Sequence, residues 1–328
     1  MSTMYDAVRA AAATLAAAGV ASPDADAIEL ASVAVGVEPA AIRRAMVLRD
    51  PLDPRAAERF GGLVGERALR IPLQHLTGRA YFRGLTLAVG PGVFIPRPET
   101  EMVAGLAIDA ARTCEMAEPV VVDLCTGSGA IALAVADEVT AARVYAVEKS
   151  EFAHAWAARN AAALGLALDL RLGDATTAFG DLLGAADVVV SNPPYIPLGQ
   201  VPIDPEVADH DPQIALYGGS ADGLAIPLAV AARGALLLKP GGVLVMEHAD
   251  AQGESLPRAL AATGSWHEIA DHLDLAGRRR VHRRDDLGDA LQVVGVVGDD
   301  QRVVARVGVD RVVRRDQRAQ HGNEVVHV

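Results

Sequence analysis

The chain has 328 residues, 51% of them apolar but only 4% aromatic, and a formal net charge of −12. That length accommodates one large domain and a smaller one, and the acidic balance speaks against a protein that holds duplex nucleic acid chiefly through its phosphates. With two cysteines, Cys114 and Cys125, no disulfide framework is implied and a reducing cytoplasm is the expected setting.

In chain order, residues 4–19 read as an alanine-rich helix stopped by Gly19. Asp6 stands where a secretory leader would be basic, so the stretch is an ordinary helix. Ser22-Pro23-Asp24 predicts an N-cap, a first-turn proline and a first-turn acid for a helix that ends near Gly36. Further helices are expected after Pro39 and from Asp53-Pro54 to about Leu69. No strand is evident before Tyr81, so residues 1–76 are predicted to form a small helical domain. Leu85, Leu87 and Val89 alternate between Gly84 and Gly90, which reads as a hairpin within a linker spanning residues 77–98. Pro91, Pro96 and Pro98 give that linker an extended path, because each ring locks its own φ and restricts the residue before it. The next helix opens at Pro98-Glu99 and runs to about Thr113.

From Pro119 onward apolar strands alternate with helices. The strands are 119–124, 143–147, 168–172, 187–191 and 242–246; the helices between them start near Gly129, at Ser150 and at Ala225. Strands without a polar face mean a parallel sheet covered on both sides, so the expected class is α/β with a doubly wound sheet. Ligands in such sheets bind at the carboxyl ends of the strands, where the strand order reverses. The apolar run 226–238 contains Arg233 and is too short to span a bilayer, so no membrane partner is expected.

Three constellations fall at those carboxyl ends. Asp123-Leu124-Cys125-Thr126-Gly127-Ser128-Gly129 joins a strand to a helix; its glycines admit close backbone approach and the helix start offers free N–H groups. It has G-x-G but not G-x-G-x-x-G, and an acid precedes it, which favours a cationic or neutral ligand head over a pyrophosphate. Glu148, at the end of the next strand, suits the two hydroxyls of a ribose, and Asp174 after the third strand is a weaker candidate for an adenine contact. Asn192-Pro193-Pro194-Tyr195 follows the fourth strand directly. The prolines stiffen the segment and lack N–H groups, the Pro193 carbonyl and the Asn192 side chain are acceptors, and Tyr195 offers a flat face. Such a loop can grip both hydrogens of a planar –NH2 and place its nitrogen against an electrophilic methyl group. The nine histidines show no metal-ligand spacing, and no metal site is expected.

Over residues 5–278 the chain resembles the release-factor glutamine methyltransferases. Phe94 to Glu101 is similar to that family's linker signature, Asp123 to Ile131 to its cofactor loop, and Asn192 to Tyr195 to its catalytic motif. Asp211-Pro212, Gly218-Gly219 and Asp222-Gly223-Leu224 resemble its substrate-side loop, and Glu247 through Gln252-Gly253-Glu254 its late-strand region. The resemblance implies a seven-stranded methyltransferase sheet over residues 99–278 behind a helical substrate-recognition domain. It implies S-adenosyl-L-methionine as methyl donor, held by Asp123, Cys125, Thr126, Gly127, Ser128, Gly129, Glu148, Asp174, Ala175 and Asn192, with Asn192, Pro193, Pro194 and Tyr195 catalytic. The substrate implied is the Gly-Gly-Gln glutamine of peptide-chain release factors. Methylation of a ribosomal-protein glutamine, or of an exocyclic amine in nucleic acid, presents the same planar group; the acidic balance and the lack of a basic, aromatic-rich domain count against direct nucleic-acid binding. Cys125 stands where many members have glycine, and the turn is expected to adjust so that Cys125 keeps an ordinary φ.

From Arg279 to Val328 the character changes: ten arginines face eight acids, valine doublets follow no period, and aromatics, proline and lysine are absent. This reads as an atypical, poorly ordered tail, either a solvated natural extension or the product of a frame change near Arg278. The last sheet strand would then have to come from Arg279 to Arg283, whose charges suit an inner strand badly.

Overall fold

The computed structural model describes residues 2–273 and 301–307. At the N-terminus, α1 (Met4–Ala17), α2 (Pro23–Val35), α3 (Pro39–Leu48), α4 (Pro54–Ala68) and the short α5 (Leu73–Thr77) pack around their own core of Leu15, Leu30, Ile42 and Phe60. Each of these buried side chains contributes about 1.5–3 kcal/mol. Prolines open α2, α3 and α4, where their missing N–H costs nothing. Asp53 caps α4 by accepting from the amides of Arg55 and Ala56, each at 3.0 Å. Ser22 does not cap α2 as the sequence suggests. Its ψ of 60° lies far from the extended value that aims a cap side chain at the first-turn amides, and it makes no such bond.

The hairpin consists of β1 (Arg79–Phe82) and β2 (Leu85–Ala88), paired antiparallel with Phe82 opposite Leu85. Arg83 and Gly84 form its two-residue turn with φ of 48° and 90°, both left-handed as a tight hairpin of this twist requires. The Arg83 guanidinium reaches Glu138 at 2.6 and 3.0 Å and so fastens the hairpin to the large domain.

That domain runs α6 (Thr100–Thr113), β3 (Val120–Leu124), α7 (Ala130–Glu138), β4 (Arg143–Glu148), α8 (Glu151–Leu164), β5 (Asp169–Leu172) and β6 (Ala186–Ser191). It continues with α9 (Pro205–His210), α10 (Ala225–Leu237), β7 (Leu238–His248), α11 (Ser255–Ala262), β8 (Trp266–Leu273) and β9 (Gln301–Val307). Among the described residues seven strands form one sheet in the order β5-β4-β3-β6-β7-β9-β8. The first five are parallel, and β9 runs antiparallel to both β7 and β8. Every residue of β6 is buried, which explains why its sequence, Ala-Asp-Val-Val-Val-Ser, shows no alternation. From β3 the chain winds outward through β4 to β5, then returns to β6 on the other side of β3. A crevice therefore opens above the carboxyl ends of β3 and β6.

The inner antiparallel strand differs from the one expected. Gln301 to Val307 pairs with β7, Val243 lying opposite Arg306 and His248 opposite Gln301, whereas Arg279 to Arg283 lie outside the described residues. Gln-Arg-Val-Val-Ala-Arg-Val offers a strand three β-branched valines, whereas Arg-Arg-Val-His-Arg offers one. The remainder of the predicted tail, 284–300 and 308–328, also lies outside the described residues. Among the described residues no helix is long and apolar enough to cross a membrane.

Candidate active site

The loop after β3 is built around Asp123, a fully buried carboxylate. Its Oδ2 accepts from Thr126 Oγ1 at 2.6 Å and from the Ala132 amide at 3.2 Å, tying the loop to the first turn of α7. Its Oδ1 has no hydrogen-bond partner. Burial pushes the carboxyl up to about 7, outweighing the two bonds it accepts. The Gly127 amide donates to Glu148 Oε2 and the Ser150 amide to Glu148 Oε1, both at 2.8 Å, so the carboxylate at the end of β4 is fixed in orientation by backbone. Gly127 has a φ of 59°, and a Cβ there would meet no atom within 4 Å, which leaves an open face over the turn. Gly129 is packed instead: a Cβ would lie 3.0 Å from Leu133.

Cys125 corrects the expectation of an ordinary φ. It adopts a φ of 71°, the left-handed region that favours glycine, at a cost of about 1–2 kcal/mol. The hydrogen bonds around it, Thr126 N to Val147 O at 3.0 Å and those of Asp123 and Glu148, over-determine the turn and hold the residue there. Burial, reinforced by Glu148 and Asp123, keeps its thiol far above the usual value and protonated.

At the end of β6 the Ser191 hydroxyl donates to the Leu124 carbonyl, locking the two central strands together where the crevice opens. Asn192 Nδ2 donates to Thr100 Oγ1 at 3.3 Å, so the amide's carbonyl end is the one turned away from Thr100. Pro193 and Pro194 are buried; Tyr195 is half-buried with its hydroxyl 3.5 Å from Glu247 Oε1. Beyond it, Ile196 N donates to Leu216 O at 2.8 Å and Gly218 N to Ile196 O at 2.9 Å, which stitches the loop to the segment before α10.

These pieces meet in one cleft of ≈ 1320 Å³. Cys125, Thr126, Gly127, Ser128, Glu148, Asp174 and Ala175 line it on the side of β3 to β5, and Asn192, Pro194 and Tyr195 on the side of β6. Asp123, Gly129 and Pro193 are not among the lining residues. Asp174 is engaged by Lys149 Nζ at 2.9 Å and by the amide and hydroxyl of Thr176 at 2.9 and 2.6 Å. The bonds from Thr176 and then Lys149 hold its carboxyl down at about 2, so it is ionised. His248 is fully buried with its ring nitrogen 2.6 Å from Ala249 O, and burial pushes it down to about 3, which makes it a neutral structural residue. The donor set suits S-adenosylmethionine. A turn with an open glycine face, a carboxylate at a strand end and a buried carboxylate with an unused oxygen match a cationic nucleoside.

Sequence reading marked two segments of the cleft's far wall, Phe94 to Glu101 and Asp211-Pro212, but not the contacts between them. Arg97 of the linker pairs through Nη2 with the wholly buried Asp211 at 2.6 Å and stacks over Phe94 at 5.0 Å. The Asp211 carboxyl, pushed up to about 6 mainly by burial, is only partly compensated by that guanidinium. The helical domain is anchored to α9 beside the same cleft: Arg67 reaches Asp26 at 2.7 Å and Glu206 at 2.8 Å, and Arg70 Nε reaches Glu206 at 2.8 Å. Burial alone would raise the Glu206 carboxyl, but the guanidinium groups of Arg70 and Arg67 hold it well below the usual range. One proline between two acids, Asp204-Pro205-Glu206, is the local signal for this helix; the partners of Glu206 lie about 136 residues away in sequence and carry no local mark.

Residues 6–78 match the family model described as the PrmC N-terminal domain, and residues 104–203 match that of the methyltransferase small domain. Among curated relatives, a release factor glutamine methyltransferase of Streptomyces coelicolor is 52% identical over 267 residues, 81% of this chain and 92% of the relative. A protein of the same name from Mycolicibacterium smegmatis is 47% identical over 282 residues, 85% of this chain and 96% of the relative. A 4-amino-L-phenylalanine/4-methylamino-L-phenylalanine methyltransferase of Streptomyces pristinaespiralis is 43% identical over 222 residues, 67% of this chain and 74% of the relative. Similarity of this depth over nearly the whole length of the first two relatives, with both domains matched, means that the chain belongs to the release factor glutamine methyltransferase family.

Proposed function

We infer that the protein transfers a methyl group from S-adenosylmethionine to the side-chain amide nitrogen of a glutamine in peptide-chain release factors, the glutamine of their Gly-Gly-Gln motif. The observation that carries this reading is that the Asn192 to Tyr195 loop opens into the same cleft as the Cys125 to Ser128 loop. When bound, S-adenosylmethionine supplies a methyl group made electrophilic by a positively charged sulfur. The turn from Cys125 to Gly129, the Glu148 carboxylate, Asp174 and Ala175 would hold it, with Asp123 beneath the turn and Asn192 beside the methyl.

An amide nitrogen is a weak nucleophile, because its lone pair is shared with the carbonyl. The protein's contribution is placement and charge. Asn192, oriented by Thr100, offers its carbonyl oxygen to one N–H of the glutamine, and the Pro193 carbonyl takes the other. Both acceptors bind more strongly as the nitrogen becomes positive, so they favour the transition state over the ground state, and one of the two N–H protons they hold then leaves to water as the neutral N-methyl amide forms. Tyr195 supplies a flat face to the amide plane. Residues 1–76 would recognise the release factor, residues 77–98 link the two parts, and residues 99–278 carry the chemistry; the setting is the cytoplasm, with protein and not nucleic acid as partner.

The test offers purified release factor and DNA side by side to the full chain with labelled S-adenosylmethionine. Label is expected on the release-factor glutamine alone, and label on DNA would refute the assignment. Asn192→Ala should lower kcat by about 10²–10³-fold, as losing one pre-oriented transition-state contact does, while cofactor affinity stays within a few-fold. An unchanged kcat would remove Asn192 from the mechanism.

A further inference from the structure

The loop that presents the acceptors is itself short of anchors. Pro193 and Pro194 have no N–H groups, so the backbone there cannot tie itself down. Its start is secured by Ser191 on the Leu124 carbonyl. Its end is secured by a side chain that belongs to a different part of the chain. Gln252 lies in the turn Asp250–Gln252 after β7 and is 3% exposed. Its Nε2 donates to the Tyr195 carbonyl at 2.9 Å and to the Asp222 carbonyl at 2.8 Å, while its Oε1 accepts from the Ala249 amide at 3.0 Å. One buried amide thus joins three segments with both donors and its acceptor in use.

The surroundings leave no room for an alternative arrangement. Gly223, at a φ of 73°, lies so close that a Cβ on it would stand 2.1 Å from the Tyr195 carbonyl oxygen and 2.8 Å from Gln252 Nε2. A Cβ on Gly218 would stand 1.9 Å from the Gly223 carbonyl oxygen. The two glycines therefore mark where backbone from 195–197 and from 218–223 is drawn together around the Gln252 amide.

We propose that Gln252 is a positioning residue for methyl transfer: by capturing the Tyr195 carbonyl it fixes the peptide plane that aims the Tyr195 ring, and it leaves the Pro193 carbonyl and the Asn192 side chain as the acceptors offered to the substrate. This rests on the reading of Asn192 to Tyr195 as the acceptor loop. Glutamine is required because the site needs two donors and one acceptor at that reach. An ionised glutamate would set an anionic oxygen against two carbonyl oxygens. A protonated one recovers a single donor. The acids on the segments it joins are Asp222, whose carboxylate is taken by Ser220 Oγ and the Leu224 amide, together with Glu247 and Asp250. Their charge and the burial of the site raise the carboxyl of a glutamate introduced there.

The experiment uses the full chain with Gln252→Glu and Gln252→Ala. The first readout is hydrogen exchange of the Ile196, Leu198, Gly218 and Gly223 amides, which are bonded in the folded loop. It requires neither cofactor nor substrate. Faster exchange at those amides, confined to them, is expected in both variants. The second is kcat on release factor, expected to fall by about 10²-fold, the effect of an ångström-scale misplacement, with the affinity for S-adenosylmethionine retained. The ratio of Gln252→Glu to wild-type kcat should rise as the pH is lowered from 8 to 6. Exchange and kcat like wild type would overturn the proposal. So would a loss of melting temperature, cofactor affinity and kcat together with a pH-independent ratio, because that is the signature of a purely structural residue. A wild-type protein that leaves release factor unmethylated would refute the function reading alone, and the exchange pattern would still decide whether Gln252 holds the loop.

Discussion

Replacing Asp123 by asparagine should remove a pH dependence from the stability of the protein. Asp123 is fully buried, and burial moves its carboxyl from an ordinary value of 3.8 to about 7. In the unfolded chain the group ionises near its ordinary value. In the folded chain it stays protonated to near neutrality. The sign follows: the unfolded state loses its proton first, so stability is highest below pH 3.8, declines as the pH rises, and levels off only above about 7. At about 1.4 kcal/mol per pH unit, the full decline is on the order of 4 kcal/mol. Asparagine keeps the shape and still accepts from Thr126 and the Ala132 amide, but has no charge to bury. At low pH the two proteins should melt close together. At pH 8, without cofactor, the variant should melt higher, by on the order of 10 °C at roughly 2–4 °C per kcal/mol. Calorimetry of both proteins from pH 4.5 to 8 is the assay. Asp211 and His248 titrate identically in both and cancel in the difference. A constant offset across the range would refute the reasoning, because the buried carboxyl would then not be what titrates. A cationic cofactor favours the ionised form, so S-adenosylmethionine should bind wild type more tightly at pH 8 than at pH 6, and the variant nearly equally at both.

Other changes separate backbone geometry from packing and charge. Arg67→Met leaves Asp26 and Glu206 facing each other without the guanidinium between them; with that side chain only 8% exposed, the loss should be about 3–5 kcal/mol in denaturant unfolding. A loss below about 1 kcal/mol, the range of exposed pairs, would mean that water reaches the cluster. Gly127→Ala and Gly223→Ala share a positive φ but differ in space. At Gly127 no atom lies within 4 Å, so only the backbone cost of about 1–2 kcal/mol applies. At Gly223 the methyl group falls 2.1 Å from the Tyr195 carbonyl, so the second variant should be clearly less stable and lose turnover as well. Equal melting temperatures would contradict the close approach of those two segments.

The sequence was sufficient wherever the controlling forces are local. Proline and acid placement marks the starts of α2 and α4, the apolar runs without alternation mark β3, β4 and β6 as buried, and glycine spacing marks the turn at Gly127. The crevice itself followed from the order of those runs, since a doubly wound sheet has one place where its strands diverge. Most of the residues expected there line it. Local rules failed where a distant partner decides. Cys125 takes a left-handed φ that its own side chain disfavours, because hydrogen bonds donated by the turn to Val147, Glu148 and Asp123 hold it. The charges of Arg279 to Arg283 signalled trouble with the last strand, but the strand that pairs with β7 and β8 is Gln301 to Val307, which local reading did not single out.

Nothing local to Asp26 marks it as buried against Arg67, and nothing local to Gln252 marks its hold on the Tyr195 carbonyl. Composition and periodicity determined which elements form and which motifs stand at the ends of the strands, because those depend on neighbours a few residues away. Only the tertiary structure decided which buried polar groups meet, because the burial of a charge or an amide is tolerable only with a partner in place, and that partner can sit anywhere along the chain.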